Sequence, residues 1–383
     1  MIELRKFVAP EFVFGAGALE LTGQYARNYG ARKVLVVSDA GVIRAGWTQK
    51  VIDSLESADI EHVLFAEVSP NPRAQEVMTG AAVYQDSGCD LIVAVGGGSP
   101  MDCAKGIGIA NSNRLDVLKF EGIDNVAVPG PPLICVPTTA GTSADVSQFA
   151  IISNQDEKVK IAIISKLVVP DVALIDPVTT TTMDAYLTAC TGMDALVHAI
   201  EAYVSTANAP IFDIHALEAM RLIRANLLDT INNPDDIERR SKMMLASLEA
   251  GLAFSNASLG AVHAMAHSLG GFLDLPHGEC NSILLDHVMA FNFSEVPERY
   301  TEVGQALGLD LVKMPADEKK NTILQTVDRF KKSVGIIKTL GQRGVKAADI
   351  PELATKALKD ACMVTNPGDP SQRDIEVVYE EAL

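Results

Sequence analysis

Four of the seven histidines fall into two short segments with the spacing of a metal site. Asp194 and His198 are four residues apart, His263 and His267 are four residues apart, and His277 follows ten residues later. Residues four apart lie on one face of a helix, so each pair can point its side chains in one direction. A buried neutral imidazole needs a polar partner, and a hydrogen-bonded core histidine is the alternative to a metal ligand. The combined pattern favours metal ligands over hydrogen-bonded core histidines.

The residue types narrow the choice of metal. Three imidazoles with one carboxylate suit Fe(II) or Zn(II), which are borderline in softness, better than Mg(II) or Ca(II). No H-E-x-x-H motif is present, so a zinc protease would have no general base in the required place. Cys280 lies close to His277, but such a donor set does not need its soft thiolate, and we interpret this cysteine as structural.

A glycine-rich turn is the second candidate for chemistry. Gly96–Gly98 follow the aliphatic run Leu91–Val95 and precede a predicted helix, in which Ser99 is expected to be the cap and Pro100 the first residue. Free backbone N–H groups and the helix dipole would then form an anion site suited to a diphosphate. A purely structural turn is the alternative, since three successive glycines are not a G-x-G-x-x-G motif.

Two more polar segments follow predicted strands. The hydroxyl-rich loop Pro137–Ser143 can bond a phosphate, a ribose or the nicotinamide amide, although loop hydroxyls also cap turns. Asp39 ends another strand, where its carboxylate can accept from the adenosine ribose hydroxyls and repel a 2′-phosphate. An Asx turn before Gly41 is the alternative for Asp39.

The elements that must position these residues differ between the two halves of the chain. Short aliphatic strands alternate with helices in the first half, which predicts a doubly wound parallel α/β sheet with an added β-hairpin over 147–152 and 159–164. The predicted strands are 33–37, 62–65, 91–95 and 133–136, and the predicted helices are 16–29, 48–57, 73–87 and 100–110.

Long helical stretches without alternating strand patterns fill the second half. They cover residues 183–205, 210–230, 236–254, 258–272, 317–335 and 351–363. We therefore predict two domains, an α/β dinucleotide-binding domain over 1–178 and an all-helical metal-binding domain over 179–383.

Composition excludes several classes of function. The 383 residues carry a net charge of −17, which makes nucleic acid and anionic membranes poor partners. No apolar run approaches the roughly 18 residues of a membrane helix, and no secretory signal is visible, so the cytoplasm is the expected compartment. Six scattered cysteines without a C-x-x-C pair are interpreted as free thiols.

Together these motifs resemble the iron-containing, or group III, alcohol dehydrogenases, relatives of the glycerol dehydrogenases and dehydroquinate synthases. The similarity runs from Phe12–Gly15 to Asn366–Pro367. Its most specific pieces are Gly96–Asp102, Pro137–Thr142, Thr191–Asp194 with His198 and Glu201, His263–His267, and Pro276–Gly278.

The resemblance implies roles for individual residues. The metal ligands map onto Asp194, His198, His263 and His277, and a non-ligand active-site histidine maps onto His267. The cofactor contacts map onto Asp39, Gly97, Gly98, Ser99, Asp102, Thr138, Thr139, Thr142 and Lys160, and the positions beside the substrate onto Phe149, Phe254 and Cys362. Two positions depart from the family pattern: Gly368 stands where an arginine is usual, and Asp286 where a proline is common.

The expected activity is a reversible, metal-dependent oxidation of a small primary alcohol or diol to an aldehyde with NAD. Fe(II) is the expected metal and Zn(II) the alternative, and a homodimer or larger homo-oligomer is expected. A glycerol dehydrogenase-like enzyme and a dehydroquinate synthase-like lyase are the alternatives on the same fold. The mostly apolar residues around the metal motifs favour a small neutral alcohol, and a non-catalytic nucleotide-binding protein would not require the ligand set.

Overall fold

The computed structural model describes residues 4–383 and divides into two compact units. The first unit is Val8–Met183, and the second is Asp184–Leu383 together with residues 4–7. The division thus follows Met183, a few residues after the boundary expected at 178. Phe7 belongs with the second unit because its ring packs against those of Phe212 and His215, at centroid distances of 6.0 and 5.6 Å.

Nine strands form two sheets in the first unit. They are β1 (Glu11–Phe14), β2 (Lys33–Val37), β3 (Glu61–Phe65), β4 (Leu91–Gly96), β5 (Gly122–Ile123), β6 (Leu133–Pro137), β7 (Phe149–Asn154), β8 (Val159–Ile164) and β9 (Val172–Ile175). The six-stranded sheet has the order β1-β9-β6-β4-β2-β3, and all its pairs are parallel. The predicted parallel α/β architecture is confirmed.

The central strands are aliphatic on both faces because helices cover both sides of the sheet. Leu35 and Ile92 pack in one buried cluster, whereas their neighbours Val34 and Val93 pack in another. The helices are α1 (Thr22–Asn28), α2 (Ala40–Ala45), α3 (Trp47–Ser57), α4 (Ala74–Ser87) and α5 (Gly98–Asn113). Two separate cores, one on each face of the same sheet, are typical of a doubly wound fold.

The strand order reverses between β2 and β4. The chain runs outward from β2 to β3 on one side and from β4 through β6 to β9 on the other. Val37 pairs with Ala94 and Gly96 with Pro137, so the loops after β2, β4 and β6 leave the same edge side by side. In open α/β sheets, ligands bind at this switch point beyond the carboxyl ends of the strands.

The predicted hairpin is confirmed as the antiparallel pair β7 and β8, but it belongs to a separate sheet with the order β5-β8-β7. Strands β1 and β9 were not predicted. β1 is an edge strand in which Phe12 and Phe14 are exposed, so it lacks the buried aliphatic run of an interior strand. β9 is an interior strand with four buried aliphatic residues, but a run this short does not by itself distinguish a strand from another buried segment.

Every regular element of the second unit, over residues 184–383, is helical, as predicted. The helices are α6 (Ala185–Val204), α7 (Pro210–Asn232), α8 (Ile237–Ala257), α9 (Ala261–Leu273), α10 (His277–Asn292), α11 (Pro297–Ala306), α12 (Ala316–Ser333), α13 (Ile350–Ala357) and α14 (Gln372–Glu381). Helix α6 is buried from Thr188 to Val204, and most of its residues there are apolar, apart from site residues such as Asp194 and His198. The predicted stretch 351–363 ends earlier as α13, and Ala361–Thr365 form a 3-10 turn.

Three sequence expectations concern features outside the candidate site. All six cysteines are thiols without a disulfide, as predicted, and all six are buried. Within residues 4–383, no helix combines the length and apolar character needed to span a membrane. Asp286, which departs from the family pattern, lies 2.5 Å from the Nζ of Lys331 on α12, and both side chains are largely buried. The acidic residue therefore pairs with a cation that would otherwise be buried alone.

Candidate metal centre and cofactor-binding loops

Three helices bring an aspartate and two histidines together inside the second unit. Asp194 lies on α6, His263 on α9 and His277 at the first position of α10. The Oδ1 atom of Asp194 is 3.9 Å from Nε2 of His263 and 3.8 Å from Nε2 of His277. One ligand atom from each residue lies within 4.8 Å of the others, so a single ion can reach all three.

Close packing of α10 on α6 makes this convergence possible. A Cβ atom on Gly278 would lie 2.5 Å from the carbonyl oxygen of Cys190, which any side chain would displace. The same added atom would be 3.4 Å from the Cβ of Asp194. The glycine after His277 thus lets the start of α10 approach the backbone of α6 beside Asp194.

A buried carboxylate holds one of the imidazoles in a defined orientation. Oε2 of Glu201 is 2.5 Å from Nδ1 of His263, and its Oε1 accepts from the backbone N–H of Val262 at 2.7 Å. The ring therefore carries its proton on Nδ1 and presents the lone pair of Nε2 towards Asp194. Burial raises the pKa of Glu201 to about 7, although backbone N–H groups and His198 oppose that shift.

His198 lies beside this group without joining it. Its ring stacks between those of Phe254 and His263, at centroid distances of 4.3 and 4.6 Å. The group of ligand atoms within 4.8 Å of one another contains Asp194, His263 and His277 and does not include His198. The predicted four-ligand set is thus brought together as three converging residues and one adjacent ring, and the role of His198 stays a prediction.

His267 is held by an aspartate from a distant part of the chain. Its Nδ1 lies 2.9 Å from Oδ2 of Asp360, and its ring stacks on that of His277 at 5.3 Å between centroids. Burial disfavours a charge on Asp360, but the charge and hydrogen bond of His267 outweigh it and hold the pKa of the carboxyl below its usual value. Oδ1 of Asp360 accepts from the backbone N–H of Cys362, and burial raises the pKa of that thiol.

Three residues of this site were not assigned a role from the sequence: Glu201, Asn281 and Asp360. Glu201 continues the Asp194 face of α6 by a further turn after His198, and Asn281 follows His277 by four residues on α10, so helical spacing was an available signal for both. Asp360 is 93 residues from His267 along the chain, and no local pattern points to it.

The glycine-rich turn begins its helix earlier than predicted. Helix α5 starts at Gly98, and Gly97 is the N-cap without any side-chain cap, so the expected cap at Ser99 and first position at Pro100 are wrong. Pro100 still fits, since N–H groups in the first turn have no intrahelical acceptor. An uncapped N-terminus leaves its backbone donors for a ligand, which is the property that a diphosphate site needs.

The hydroxyl-rich loop packs directly on this turn. A Cβ atom on Gly97 would lie 3.1 Å from the Cγ2 of Thr139, and one on Gly98 would lie 3.1 Å from the Cγ2 of Thr142. Thr138 is tied to the same edge, because its backbone N–H donates to the carbonyl of Gly96 at 2.8 Å. The predicted cofactor residues of the two loops are therefore brought together, although their contacts with a cofactor stay predictions.

The remaining predicted cofactor residues lie on several elements of the first unit. Asp39 is the N-cap of α2, and its Oδ1 accepts from the backbone N–H groups of Gly41 at 2.6 Å and Val42 at 3.0 Å. The turn interpretation of Asp39 is thus correct locally, and a ribose contact stays a prediction. Asp102 lies in the first turns of α5, while Lys160 on β8 donates to Oδ1 of Asn71 at 2.6 Å.

The predicted substrate positions lie in both units. Phe254 stacks on His198, and Cys362 adjoins Asp360, so both lie near the metal cluster of the second unit. Phe149 begins β7 in the first unit, where its carbonyl accepts from the buried Nζ of Lys105 at 2.7 Å. Gly368, in place of the usual arginine, accepts through its carbonyl from the side chain of Asn366 at 2.9 Å.

Comparisons with known proteins assign nearly the whole chain to one family. Residues 9–177 match the family model described as iron-containing alcohol dehydrogenase, and residues 188–383 match the C-terminal model of the Fe-containing alcohol dehydrogenase family. The chain belongs to the iron-containing alcohol dehydrogenase family. It is therefore an oxidoreductase, and its family implies a metal and a nicotinamide cofactor.

Individual relatives are similar along nearly their full length. A 1,3-propanediol dehydrogenase of Klebsiella pneumoniae is 39% identical over 97% of this chain and 96% of its own. An NAD-dependent methanol dehydrogenase of Bacillus methanolicus is 36% identical over 98% and 99%. A crystal structure of a 1,3-propanediol oxidoreductase has a TM-score of 0.96 and 38% identity, with 100% of both chains covered.

The residues of the second unit fit the metal that the family implies. One carboxylate oxygen and two imidazole nitrogens converge, and Asp194 and His263 are almost completely buried, whereas the side chain of His277 is 25% exposed. Glu201 supplies the outer hydrogen bond that metal-binding histidines usually make. The donor set is that of Fe(II) or Zn(II) rather than of Mg(II) or Ca(II).

Proposed function

We propose that this protein interconverts a small primary alcohol or diol and the corresponding aldehyde, with NAD as the hydride acceptor. The convergence of Asp194, His263 and His277, in a chain of this family, carries the proposal. Relatives named for 1,3-propanediol and for methanol support a small alcohol or diol. Fe(II) is the proposed metal, with Zn(II) as the alternative, and a homodimer or larger homo-oligomer stays a prediction.

Each part of the second unit has a distinct role in this chemistry. When bound, a divalent metal supplies a Lewis acid for the alcohol oxygen, and NAD accepts the hydride. Asp194, His263 and His277 hold the metal, with His198 as the predicted fourth ligand, and Glu201 keeps the Nε2 lone pair of His263 available. Asp360 occupies Nδ1 of His267, which leaves Nε2 as the atom that takes up and returns a proton.

The first unit supplies the cofactor site. The backbone N–H groups at the start of α5 hold the diphosphate, and Gly97 and Gly98 allow its close approach. The loop of Thr138, Thr139 and Thr142 offers hydroxyls beside it, and Ser99, Asp102 and Lys160 complete the predicted contacts. Asp39, which lies at the carboxyl end of β2, accepts from the ribose hydroxyls and disfavours the 2′-phosphate of NADP.

A lyase of the dehydroquinate synthase type is disfavoured by charge. Helices α6, α9 and α10, which carry the cluster, contain neither lysine nor arginine. A substrate with carboxylate and phosphate groups needs several such cations for its binding. A small neutral alcohol needs none, so the absence of basic residues from these three helices supports the dehydrogenase.

The test is formation of NADH by protein that has been stripped of metal and reloaded anaerobically with Fe(II) or Zn(II). We expect turnover with small primary alcohols or diols, whereas a lyase would yield no net NADH. His263→Ala should bind less metal and lose turnover but still bind NADH in the first unit. His215→Ala, which alters a histidine paired with Glu249 outside the cluster, is the matched control. Full activity of metal-free His263→Ala would contradict the proposal.

A further inference from the structure

The side chain of Asn281 lies at the centre of the metal cluster. Its Nδ2 is 2.6 Å from Oδ1 of Asp194, 3.0 Å from Nε2 of His263 and 3.2 Å from Nε2 of His277. These are the three atoms that converge as candidate ligands. Asn281 is completely buried, and its position four residues after His277 on α10 directs its amide towards the same face.

The chemistry of the neighbours determines which amide atom faces them. An ionised carboxylate accepts hydrogen bonds only, and Nε2 of His263 also accepts because its Nδ1 proton is held by Glu201. The inward atom of Asn281 must therefore be the nitrogen, which donates. Oδ1 of Asn281 is buried and has no hydrogen-bond partner among the described residues. The two N–H groups of the amide can thus donate to two of these three atoms at a time, at the expense of its own oxygen.

A metal and this amide nitrogen compete for the same lone pairs. Hydrogen bonds from Nδ2 reach their acceptors at 2.6–3.2 Å, whereas Zn(II) or Fe(II) would bind the same atoms at about 2.0–2.2 Å. A lone pair that bonds a metal cannot also accept a hydrogen bond. Without a donor, a buried carboxylate and two imidazole lone pairs directed at one another would be costly.

From this geometry, and resting on the proposed metal site, we propose that Asn281 is a positioning residue that takes the place of the metal. In metal-free protein its amide holds Asp194, His263 and His277 together. Metal entry displaces the amide from those lone pairs. Asn281 therefore keeps the site assembled before loading, and part of the free energy of metal binding is spent on displacing it.

The proposal makes opposite predictions for the metal-free and metal-loaded proteins. Asn281→Leu has the same number of side-chain heavy atoms but no donor. Its metal-free form should melt about 3–5 °C lower than that of the wild type, because the acceptors lose their partner. Its affinity for Zn(II), measured by competition with a chromophoric chelator, should be about tenfold higher, since no amide must be displaced. The melting temperature of the zinc-loaded protein should change less.

Asn292→Leu is the matched control. Asn292 lies on the same helix, is also buried, and exchanges hydrogen bonds with Asn366 at 2.8 Å instead of with the cluster. This substitution should lower both melting temperatures by similar amounts and leave the zinc affinity unchanged. Asn281→Ala provides a second variant with less steric demand, and it should show the same two effects.

Each outcome decides between distinct explanations. Unchanged or weaker zinc binding by the Asn281 variants would overturn the proposal, because Asn281 would then support the metal-bound site. Failure of both variants to fold with and without zinc would also overturn it and make Asn281 a structural residue. If wild-type protein bound no zinc or Fe(II), the proposed metal site itself would be wrong, independently of Asn281.

Discussion

Glu201 is the best residue with which to test whether a hydrogen bond sets the tautomer of His263. The two carboxylate oxygens of Glu201 accept from two donors, Nδ1–H of His263 at 2.5 Å and the backbone N–H of Val262 at 2.7 Å. Glu201→Gln keeps the size of the side chain but replaces one acceptor by an NH2 group, which only donates. One of the two contacts must therefore place a donor against a donor.

The imidazole can relieve this conflict only at the cost of metal binding. If the glutamine oxygen keeps the Val262 N–H, its NH2 group faces Nδ1 of His263 and favours the tautomer with the proton on Nε2. Nε2 is the atom that lies 3.9 Å from Oδ1 of Asp194 and is presented to the metal. Loss of such outer hydrogen bonds typically lowers metal affinity by about 10–100-fold. At about 1.4 kcal/mol per factor of ten, this loss of metal affinity corresponds to roughly 1.4–2.8 kcal/mol.

The assay is a chelator competition with Zn(II) on wild type, Glu201→Gln and Glu249→Gln. Glu249 makes the same type of contact, 2.5 Å from Nδ1 of His215, but at a partly exposed position outside the cluster. We expect a 10–100-fold loss for Glu201→Gln and none for Glu249→Gln. Wild-type affinity in Glu201→Gln, or an equal loss in both variants, would refute the argument that Glu201 sets the tautomer of His263.

Three further predictions concern separate parts of the molecule. Asp39→Asn keeps an N-cap oxygen on α2 but removes the negative charge. Catalytic efficiency with NADP relative to NAD should therefore rise at least tenfold. An unchanged ratio would show that Asp39 is only a turn residue. His267→Ala should retain the metal but lower turnover about 10²-fold or more, and metal loss measured in the purified variant would make His267 a ligand. Burial raises the pKa of Asp145 from 3.8 to about 6, so its contribution to stability is complete below pH 4 and is lost as the pH rises through about 6. Urea unfolding of Asp145→Asn at pH 5 and pH 8 should therefore show that its stability relative to wild type increases with pH, by about 1.4 kcal/mol between these two values. A difference that does not vary with pH would contradict this.

Local patterns in the chain were enough to predict much of the architecture. The aliphatic runs of β2, β4 and β6 predicted a parallel sheet because strands covered on both faces have no polar side. The strand β9 was not predicted, although its four residues are aliphatic and buried, because so short a run does not by itself distinguish a strand from another buried segment. The start of α5 was placed two residues late, since proline is compatible with any position of the first turn and does not by itself mark the first residue.

Part of the candidate site could likewise be predicted from local spacing, whereas other contacts were known only from the tertiary structure. Asp194 with His198 and His263 with His267 were identified because a helix turns once in about four residues, so each pair shares a face whatever the rest of the fold does. The sequence also determined that Asp39, Gly97 and Thr138 follow strands, which places them at one edge of a parallel sheet. Only the tertiary structure decided that Nε2 of His277 meets Oδ1 of Asp194, because that contact depends on how closely α10 packs on α6. The pairing of His267 with Asp360, 93 residues away, was equally undecidable beforehand, since helix packing rather than local spacing determines which distant side chains share one buried site.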